Sequence, residues 1–252
     1  MYTGGLNILN PATGKVKRYK SDPSNPNTLS DNSVYSIDED RQGRVWISTI
    51  SGLNLYDKER DAFIRMKGKN LDKSCIYQVY QDTDNIIWFA TYDNGLIRMD
   101  QNGNLKQYAA NKGPNAISSN KVICMLDDNE GNLWLGTDGS GLNILNKKSG
   151  KFIVYDQENW VKSAVIYGII KDEKGRMWFS TNNGIFEFDP RSKTRRSFGK
   201  WDNLQSQQYN YKAFYKDSSG KMYFGGINGF NAFYPNQAKS VVLKPKISFT
   251  NF

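Results

Sequence analysis

The sequence contains no histidine among its 252 residues. This absence excludes Ser-His-Asp and Cys-His nucleophilic sites, histidine-ligated zinc or iron, and a phospho-accepting histidine within the chain. The two cysteines, Cys75 and Cys124, indicate no disulfide framework, and both are expected to be buried apolar side chains. No run approaches the 18 apolar residues of a membrane-spanning helix, and residues 1–5 lack the basic and apolar segments of a signal peptide.

The charge is basic, with 34 Lys and Arg against 25 Asp and Glu and a formal net charge of +9. A basic surface favours acidic ligands, such as sulfated or uronic-acid glycans, or nucleic acid. The charges are scattered, however, and the one cluster is formed by Lys193, Arg195 and Arg196, so a solvated surface is the simpler interpretation. Neither a basic helix nor an aromatic–basic stacking motif is present, so no nucleic-acid partner is expected. No pattern implies a cofactor or a metal.

One pattern recurs along the chain, and its clearest copy is residues 131–146, GNLWLGTDGSGLNILN. A short apolar segment with an aromatic centre is bounded by Gly and Asn, and a second segment led by Gly follows it. Short apolar runs punctuated in this way favour strands over helices. The aromatic residue recurs every 42 to 46 residues, which is typical of the four-stranded blades of a β-propeller. The five copies are centred on Trp46, Trp88, Trp134, Trp178 and Tyr223.

The sequence therefore predicts an all-β chain with a β-propeller over residues 1–237. A partial blade at 1–20 precedes five full repeats, at about 32–66, 74–108, 120–155, 163–198 and 209–235. Residues 238–252 are predicted to be a linker and the first strand of another domain. Because a propeller closes its ring to pair its blade edges, we expect an open arc, or closure through another chain or a re-paired terminal strand.

A turn with carboxylates follows every inner strand, as in Asp38-Glu39-Asp40 and Asp82-Thr83-Asp84, and the fifth repeat has the single Asp217. They occur at one place in each repeat, before a Gly or Asn, where Asp side chains stabilise turns through their own hydrogen bonds. Turn chemistry is therefore preferred to an acid/base or calcium site. The repeated tryptophans are interpreted as core residues between neighbouring sheets, where each buries a large apolar area.

The repeats resemble a known family. The pattern N-x-V-Y-x-I-x-x-D, then G-x-[VLM]-W-[IFL]-[SAG]-T, then G-[LI]-x-x-[LMF]-[DN], carried by residues 32–57 and 120–146, is similar to the two-component regulator propeller repeat. The resemblance implies part of a seven-bladed propeller from the periplasmic sensor region of a hybrid histidine kinase/response regulator. It also implies that residues 241–252 lead into an immunoglobulin-like domain.

The resemblance further implies an oligosaccharide ligand, a neighbouring propeller and immunoglobulin-like domain as partners, and a homodimer in the full receptor. The chain itself is expected to be no enzyme and to make no direct membrane contact. One alternative is a purely structural or dimerisation propeller without a ligand. Another is a propeller lyase or a glycosidase, because a glycosidase needs only two carboxylates at a suitable separation.

In a propeller, the turns between second and third strands share a face with the loops that lead into the next blade. Sugars are usually held there by aromatic faces together with amide or carboxylate hydrogen bonds. The candidate ligand residues are accordingly the aromatic and polar side chains of those turns and loops. They are Tyr92, Asp93, Asp138, Trp160, Asn182, Asn183 and Trp201.

Overall fold

The computed structural model describes residues 3–111, 113, 115–155 and 165–238. Every regular element within these residues is a β-strand, and the 21 strands form six separate antiparallel sheets. Each sheet is built from strands that are consecutive in the sequence, as in the blades of a propeller. No helix long and apolar enough to cross a membrane occurs in this part of the chain.

The first sheet is a two-stranded partial blade, blades 1 to 4 have four strands each, and blade 5 shows three. The partial blade contains β1 (Leu6–Leu9) and β2 (Val16–Tyr19). Blade 1 contains β3 (Val34–Glu39), β4 (Val45–Thr49), β5 (Gly52–Asp57) and β6 (Ala62–Arg65). Blade 2 contains β7 (Ile76–Gln81), β8 (Ile87–Thr91), β9 (Leu96–Met99) and β10 (Leu105–Tyr108). Blade 3 contains β11 (Val122–Asp127), β12 (Asn132–Thr137), β13 (Leu142–Asn146) and β14 (Phe152–Tyr155).

Blade 4 contains β15 (Ile166–Lys171), β16 (Met177–Thr181), β17 (Gly184–Phe188) and β18 (Arg195–Phe198). Blade 5 contains β19 (Tyr209–Lys216), β20 (Met222–Gly226) and β21 (Gly229–Phe233). A full repeat was predicted at about 209–235, and these residues form three strands. Of the predicted linker and immunoglobulin-like strand at 238–252, residues 239–252 lie outside the described part of the chain.

Each blade packs on the next through an apolar layer, and the repeated tryptophans lie in these layers. Trp46 contacts the ring of Phe89 across the layer between blades 1 and 2, with centroids 5.7 Å apart. Trp46, Trp88, Trp134 and Trp178 are all at most 3 % exposed, which confirms their predicted core role. Tyr223, the fifth residue of the series, is only half-buried, because no further sheet of the described chain packs on its side of blade 5.

The aspartate after each inner strand fixes the turn and the neighbouring aromatic residue together. Its Oδ2 accepts a hydrogen bond from the aromatic residue six positions later, from 2.8 Å for the Asp82–Trp88 pair to 3.1 Å for the Asp172–Trp178 pair. In Asp82, Oδ1 also accepts from the backbone amides of Asp84 and Ile86, at 2.9 and 3.0 Å. The preferred interpretation as turn residues is thereby confirmed. The other pairs are Asp40–Trp46, Asp128–Trp134 and Asp217–Tyr223.

These aspartates give folding a predictable acid dependence. Burial acts to raise the pKa of both Asp40 and Asp128, but hydrogen bonds to the carboxylates outweigh it, so both pKa values lie below the ordinary 3.8. Asp40 accepts these bonds from Trp46 and Arg44. Asp128 accepts them from Asn132 and Trp134. A carboxyl with a lowered folded-state pKa stabilises the fold above its unfolded pKa, and that contribution is lost as pH falls through the folded value.

We therefore expect the urea midpoint to be flat from pH 7 to about 5 and to fall below about pH 4. The matched test is Asp128→Asn, which removes one titrating group and should flatten the acid limb of this curve. Parallel curves for the two proteins would contradict a contribution from Asp128.

Candidate ligand site at the axial face

The inner strands of blades 1 to 4 each contain one β-bulge near their first residue. In blade 1, Val34 pairs with Thr49 and Ser36 with Ser48, so Tyr35 is extra in β3. Because strand side chains alternate between faces, an extra residue re-aims its side chain out of the regular pattern. The extra residues of the four blades are Tyr35, Tyr77, Ile123 and Tyr167.

These bulges lie at one face of the propeller, because each first inner-strand residue pairs with the last residue of the second strand. The turns between second and third strands lie at the same end, so Tyr92 and Asp138 belong to this face as well. The name axial face is used here for this end of the molecule. The first–second turns with their aspartates lie at the opposite end.

Blade 5 carries a longer bulge. Tyr209 pairs with Gly226, and the next paired residue is Phe214, opposite Phe224, so residues 210–213 leave the ladder. Lys212 within this loop has a φ of 56°, in the left-handed region. The loop reaches across the axis to blades 1 and 2, as its contacts with Asp38 and Tyr77 show.

Five tyrosines form an axial tyrosine cluster with Tyr77 at its centre: Tyr35, Tyr77 and Tyr167 from the short bulges, Tyr211 from the long bulge, and Tyr92 from a turn. The ring centroid of Tyr77 lies 5.5 Å from that of Tyr35 and 5.4 Å from those of both Tyr92 and Tyr211. Tyr167 packs edge-on against Tyr211 at 4.9 Å. Such tilted and edge-on arrangements are the favourable geometry for aromatic pairs. Rings from four different blades therefore meet at one point of the axial face.

Asp138 supplies the negative charge of the cluster. It accepts a hydrogen bond from the Tyr92 hydroxyl at 3.2 Å. Burial, and then the charge of Asp138, raise the pKa of Tyr211 to about 12 and raise that of Tyr167. Both phenols are thus neutral at ordinary pH and able to donate hydrogen bonds. On the outer side, the Lys121 ammonium lies 5.0 Å over the Tyr92 ring.

The blade 5 loop and the tyrosines of the cluster line a cavity of about 470 Å3. Lys212 is an ion-pair partner of Asp38, with Nζ 3.6 Å from Oδ2, and burial lowers its pKa against the opposing effect of that carboxylate. Pockets of this size hold small ligands and are usually lined by aromatic rings with a few polar groups. The lining residues are Val34, Tyr35, Tyr77, Asn210, Tyr211 and Lys212.

The structure brings together two of the predicted site residues and places others apart. Tyr92 and Asp138 join the cluster. Asn182 occupies the equivalent turn position in blade 4, where its Oδ1 accepts from the backbone amide of Val165 at 3.4 Å. The backbone amide of Asn183 donates to Thr181 Oγ1 at 2.9 Å, so it is held within that turn.

Asp93 and Trp201 lie outside the cluster, and Trp160 lies outside the described residues. Asp93 is exposed beside Cys75, where burial and then the Asp93 charge raise the pKa of the thiol to about 11. Cys75 is only half-buried, in contrast to the expectation, whereas Cys124 is buried as expected. Trp201 is 65 % exposed with the Lys200 ammonium 5.5 Å from its ring, and no aromatic ring of the described chain packs on it.

Sequence reasoning missed the four bulge-borne tyrosines of the cluster, which are Tyr35, Tyr77, Tyr167 and Tyr211. A signal for three of them exists, because each follows the first apolar residue of its inner strand at the same point of the repeat. The three tyrosines were interpreted as ordinary strand residues, so this signal was not used. The position of Tyr211 depends on the long bulge and has no counterpart in the other repeats.

Comparison with known families agrees with this architecture. The family described as two component regulator propeller matches residues 28–51, 70–93, 116–139 and 161–183. The chain carries two-component regulator propeller repeats. Each match includes the first two strands of one blade and ends at the second–third turn, so the four matches correspond to blades 1 to 4.

Individual relatives are distant. A protein of Formosa agariphila named Histidine kinase P4 is 24 % identical over 257 residues, covering 81 % of this chain and 18 % of its own length. An extracellular domain from B. thetaiotaomicron, named as part of a hybrid two component system, is 23 % identical with a TM-score of 0.72, over 92 % of this chain and 31 % of its own. The chain thus spans less than a third of either relative.

The propeller fold also occurs in enzymes. A catalytically inactive histidine-to-alanine variant of virginiamycin B lyase from Staphylococcus aureus, with quinupristin, is 16 % identical with a TM-score of 0.66. The alignment covers 94 % of this chain and 79 % of the lyase. At this identity the likeness concerns the fold alone.

Proposed function

We propose that this chain is part of the extracytoplasmic, periplasmic sensor region of a hybrid two-component signalling receptor and that it recognises an oligosaccharide. The repeats and the extracellular domain described above support the signalling role. The expectation that the chain is not itself an enzyme stays a prediction.

The observation that carries the ligand proposal is the axial tyrosine cluster around Asp138. Aromatic faces present apolar area to the CH groups of a sugar ring, while neutral phenols and a carboxylate satisfy its hydroxyls. Tyr77 and Tyr211 provide rings that line the cavity, and Asp138 provides an acceptor. The cavity volume of about 470 Å3 is in the range that holds a small ligand.

The proposal predicts that one or more members of a panel of neutral and acidic oligosaccharides bind the 252-residue chain in a calorimeter. Tyr77→Ala should then weaken binding at least tenfold, because it removes the ring that contacts three others. The control is Tyr215→Ala on blade 5, which removes a ring of the same kind that is 65 % exposed and packs on Tyr223 rather than on the tyrosine cluster. Its affinity should be unchanged.

Two outcomes would contradict the proposal. Equal affinity of the Tyr77→Ala and parent proteins would remove the cluster from the site. Binding only by a version of the protein extended upstream would place recognition outside these blades, and the chain would then be a scaffold between other domains. Near-UV circular dichroism of both variants checks that the aromatic core is intact.

A structural role has its own supporting observation. The outward side of blade 5 exposes Tyr215 and Phe230, at 65 and 66 %, together with Ile227. Within the described chain the corresponding side of each of blades 1 to 4 is covered by the next sheet. A neighbouring propeller sheet, an immunoglobulin-like domain or a second copy in a homodimer would cover this aromatic side.

A further inference from the structure

A second cavity lies at the opposite end of the molecule from the axial face, between blades 1 and 2. Its volume is about 770 Å3. Leu55, Met66 and Met99 form an apolar floor, and two arginines, Arg41 and Arg44, stand at its rim. We call this cavity the arginine cleft. It shares no residue with the site described above.

Arg44 belongs to a motif that occurs twice in the chain with the same inner geometry. Its Nε donates to Asp40 Oδ2 at 2.6 Å, and Asp40 also holds the Trp46 indole. In blade 4 the Nε of Arg176 donates to Asp172 Oδ2, also at 2.6 Å. Each guanidinium lies over its own tryptophan ring, at 5.3 Å in blade 1 and 5.7 Å in blade 4. The two arginines are therefore presented in the same way.

The outer nitrogens of the two guanidinium groups differ. In blade 4, Nη1 of Arg176 donates to the Glu187 carboxylate at 3.0 Å, and Nη2 donates to Asn236 Oδ1 at 3.3 Å. The side chain is 13 % exposed. Glu187 is the cross-strand partner of Trp178, so a carboxylate of the same blade completes the arginine's hydrogen bonds.

In blade 1 the residue opposite the tryptophan is Leu55, so the carboxylate is missing. Arg44 is 40 % exposed, and within the described ranges no protein acceptor bonds its Nη nitrogens. Asn102, at the repeat position of Asn236, lines the cleft. In blade 4 the carboxylate that binds the arginine comes from Glu187. In blade 1 the corresponding position beside Arg44 is open to the carboxylate of a ligand.

The corresponding space between blades 2 and 3 is filled, which shows that an open cleft between neighbouring blades is not a general feature of the fold. There Lys147 fills it, with Nζ 2.7 Å from Asp127, 3.1 Å from Asp84 and 3.3 Å from Asp82. Burial acts to lower the pKa of Lys147, but the three carboxylates raise it above its ordinary value. The equivalent residue in blade 2 is Gln101, which instead donates to the backbone carbonyl of Asp84 and leaves the arginine cleft open.

We propose that the arginine cleft binds a small sugar acid, with its carboxylate on Arg44 in the place that Glu187 takes on Arg176. Guanidinium and carboxylate match in geometry and form two hydrogen bonds of the charge-assisted kind. Arg41 adds a second positive charge. The apolar floor suits the CH face of a sugar ring, and the amides of Gln101 and Asn102 at the rim suit its hydroxyls.

The test titrates the 252-residue chain with D-glucuronate, D-glucose and acetate, following binding by NMR. Glucuronate should bind saturably. Glucose should bind at least tenfold more weakly because it lacks the carboxylate, and acetate should bind at least tenfold more weakly because it lacks the sugar ring. Arg44→Gln should weaken glucuronate at least tenfold. Arg60→Gln removes an equal charge from an arginine that is 82 % exposed and whose one ion pair among the described residues is with Asp57 at 3.7 Å, so it should have no effect.

Leu55→Glu is a second variant, because Arg44→Gln also disturbs the Asp40 turn. It gives blade 1 the carboxylate of blade 4, which should occupy Arg44 from within the chain and abolish glucuronate binding while the fold is kept. Absence of saturable glucuronate binding, or binding that survives both variants, would overturn the proposal. Acetate binding as tightly as glucuronate would overturn the assignment to a sugar acid. These results are independent of the Tyr77→Ala test at the axial face.

Discussion

Replacing Asp172 by alanine is expected to lower the free energy of unfolding by about 3–5 kcal/mol. The carboxylate is buried at 4 % exposure. It accepts hydrogen bonds from Trp178 Nε1 at 3.1 Å, from Arg176 Nε at 2.6 Å, and from the backbone amides of Lys174 and Arg176, both at 2.9 Å. Alanine removes the acceptor of four hydrogen-bond donors between blades 4 and 5, and one of these donors is the charged guanidinium of Arg176.

The melting temperature should fall by about 10 °C, since a chain of this size loses about 2–4 °C for each kcal/mol. Asp217→Ala in blade 5 is the matched control. Asp217 makes the same kind of turn and accepts from the Tyr223 hydroxyl at 3.0 Å, but it is only half-buried, and no arginine of the described residues is bonded to it. Its loss should be clearly smaller. Equal losses would show that the turn alone, and not the buried charge pair, determines the effect.

The second large effect is expected for Gly184→Ala, with a loss of about 3–5 kcal/mol. Gly184 opens β17 with a φ of 92°, a conformation that is costly for any residue with a side chain. An added Cβ would also overlap the backbone carbonyl oxygen of Phe198 on the adjacent strand. Its amide donates to Gln207 O at 2.7 Å, so moving the glycine also disturbs the loop into blade 5.

Gly175→Ala separates these two causes. Gly175 has a similar φ of 81°, but the nearest atoms to an added Cβ are the ends of Arg191 and Lys171, both 3.9 Å away. This variant carries the backbone strain without the overlap and should lose only about 1 kcal/mol. Urea unfolding of both proteins measures the difference. A similar loss for both variants would mean that the carbonyl of Phe198 moves aside freely.

Much of the fold could be predicted because its determinants are local. The strands around Trp134 are set by alternation and by glycines within about fifteen residues, and repetition turns a weak signal into a strong one. The role of Asp82 in its turn is equally local, because its hydrogen bonds end within six residues. The half-buried state of Tyr223 could not be foreseen, since it depends on which sheet packs beside blade 5.

Of the residues of the candidate site, only those that lie in the turns between second and third strands were predicted. Tyr92 and Asp138 were found because the second–third turns share one face by connectivity alone. Tyr77 was missed because a bulge is a property of the pairing between two strands, and the sequence of one strand does not reveal it. Trp201 was included because it is a loop aromatic, and no local pattern distinguishes such a ring from one that faces a ligand.

The loop at 210–213 affects the cooperativity of unfolding. Blades that touch only their neighbours behave like a linear repeat array, which can fray from either end one unit at a time. The contacts of Tyr211 with Tyr77 and of Lys212 with Asp38 tie the last blade to the first two across more than 130 residues of chain. Losing blade 1 therefore also costs blade 5 its contact with Asp38, and losing blade 2 costs it the contact with Tyr77, so the unfolding of blade 5 is coupled to that of blades 1 and 2.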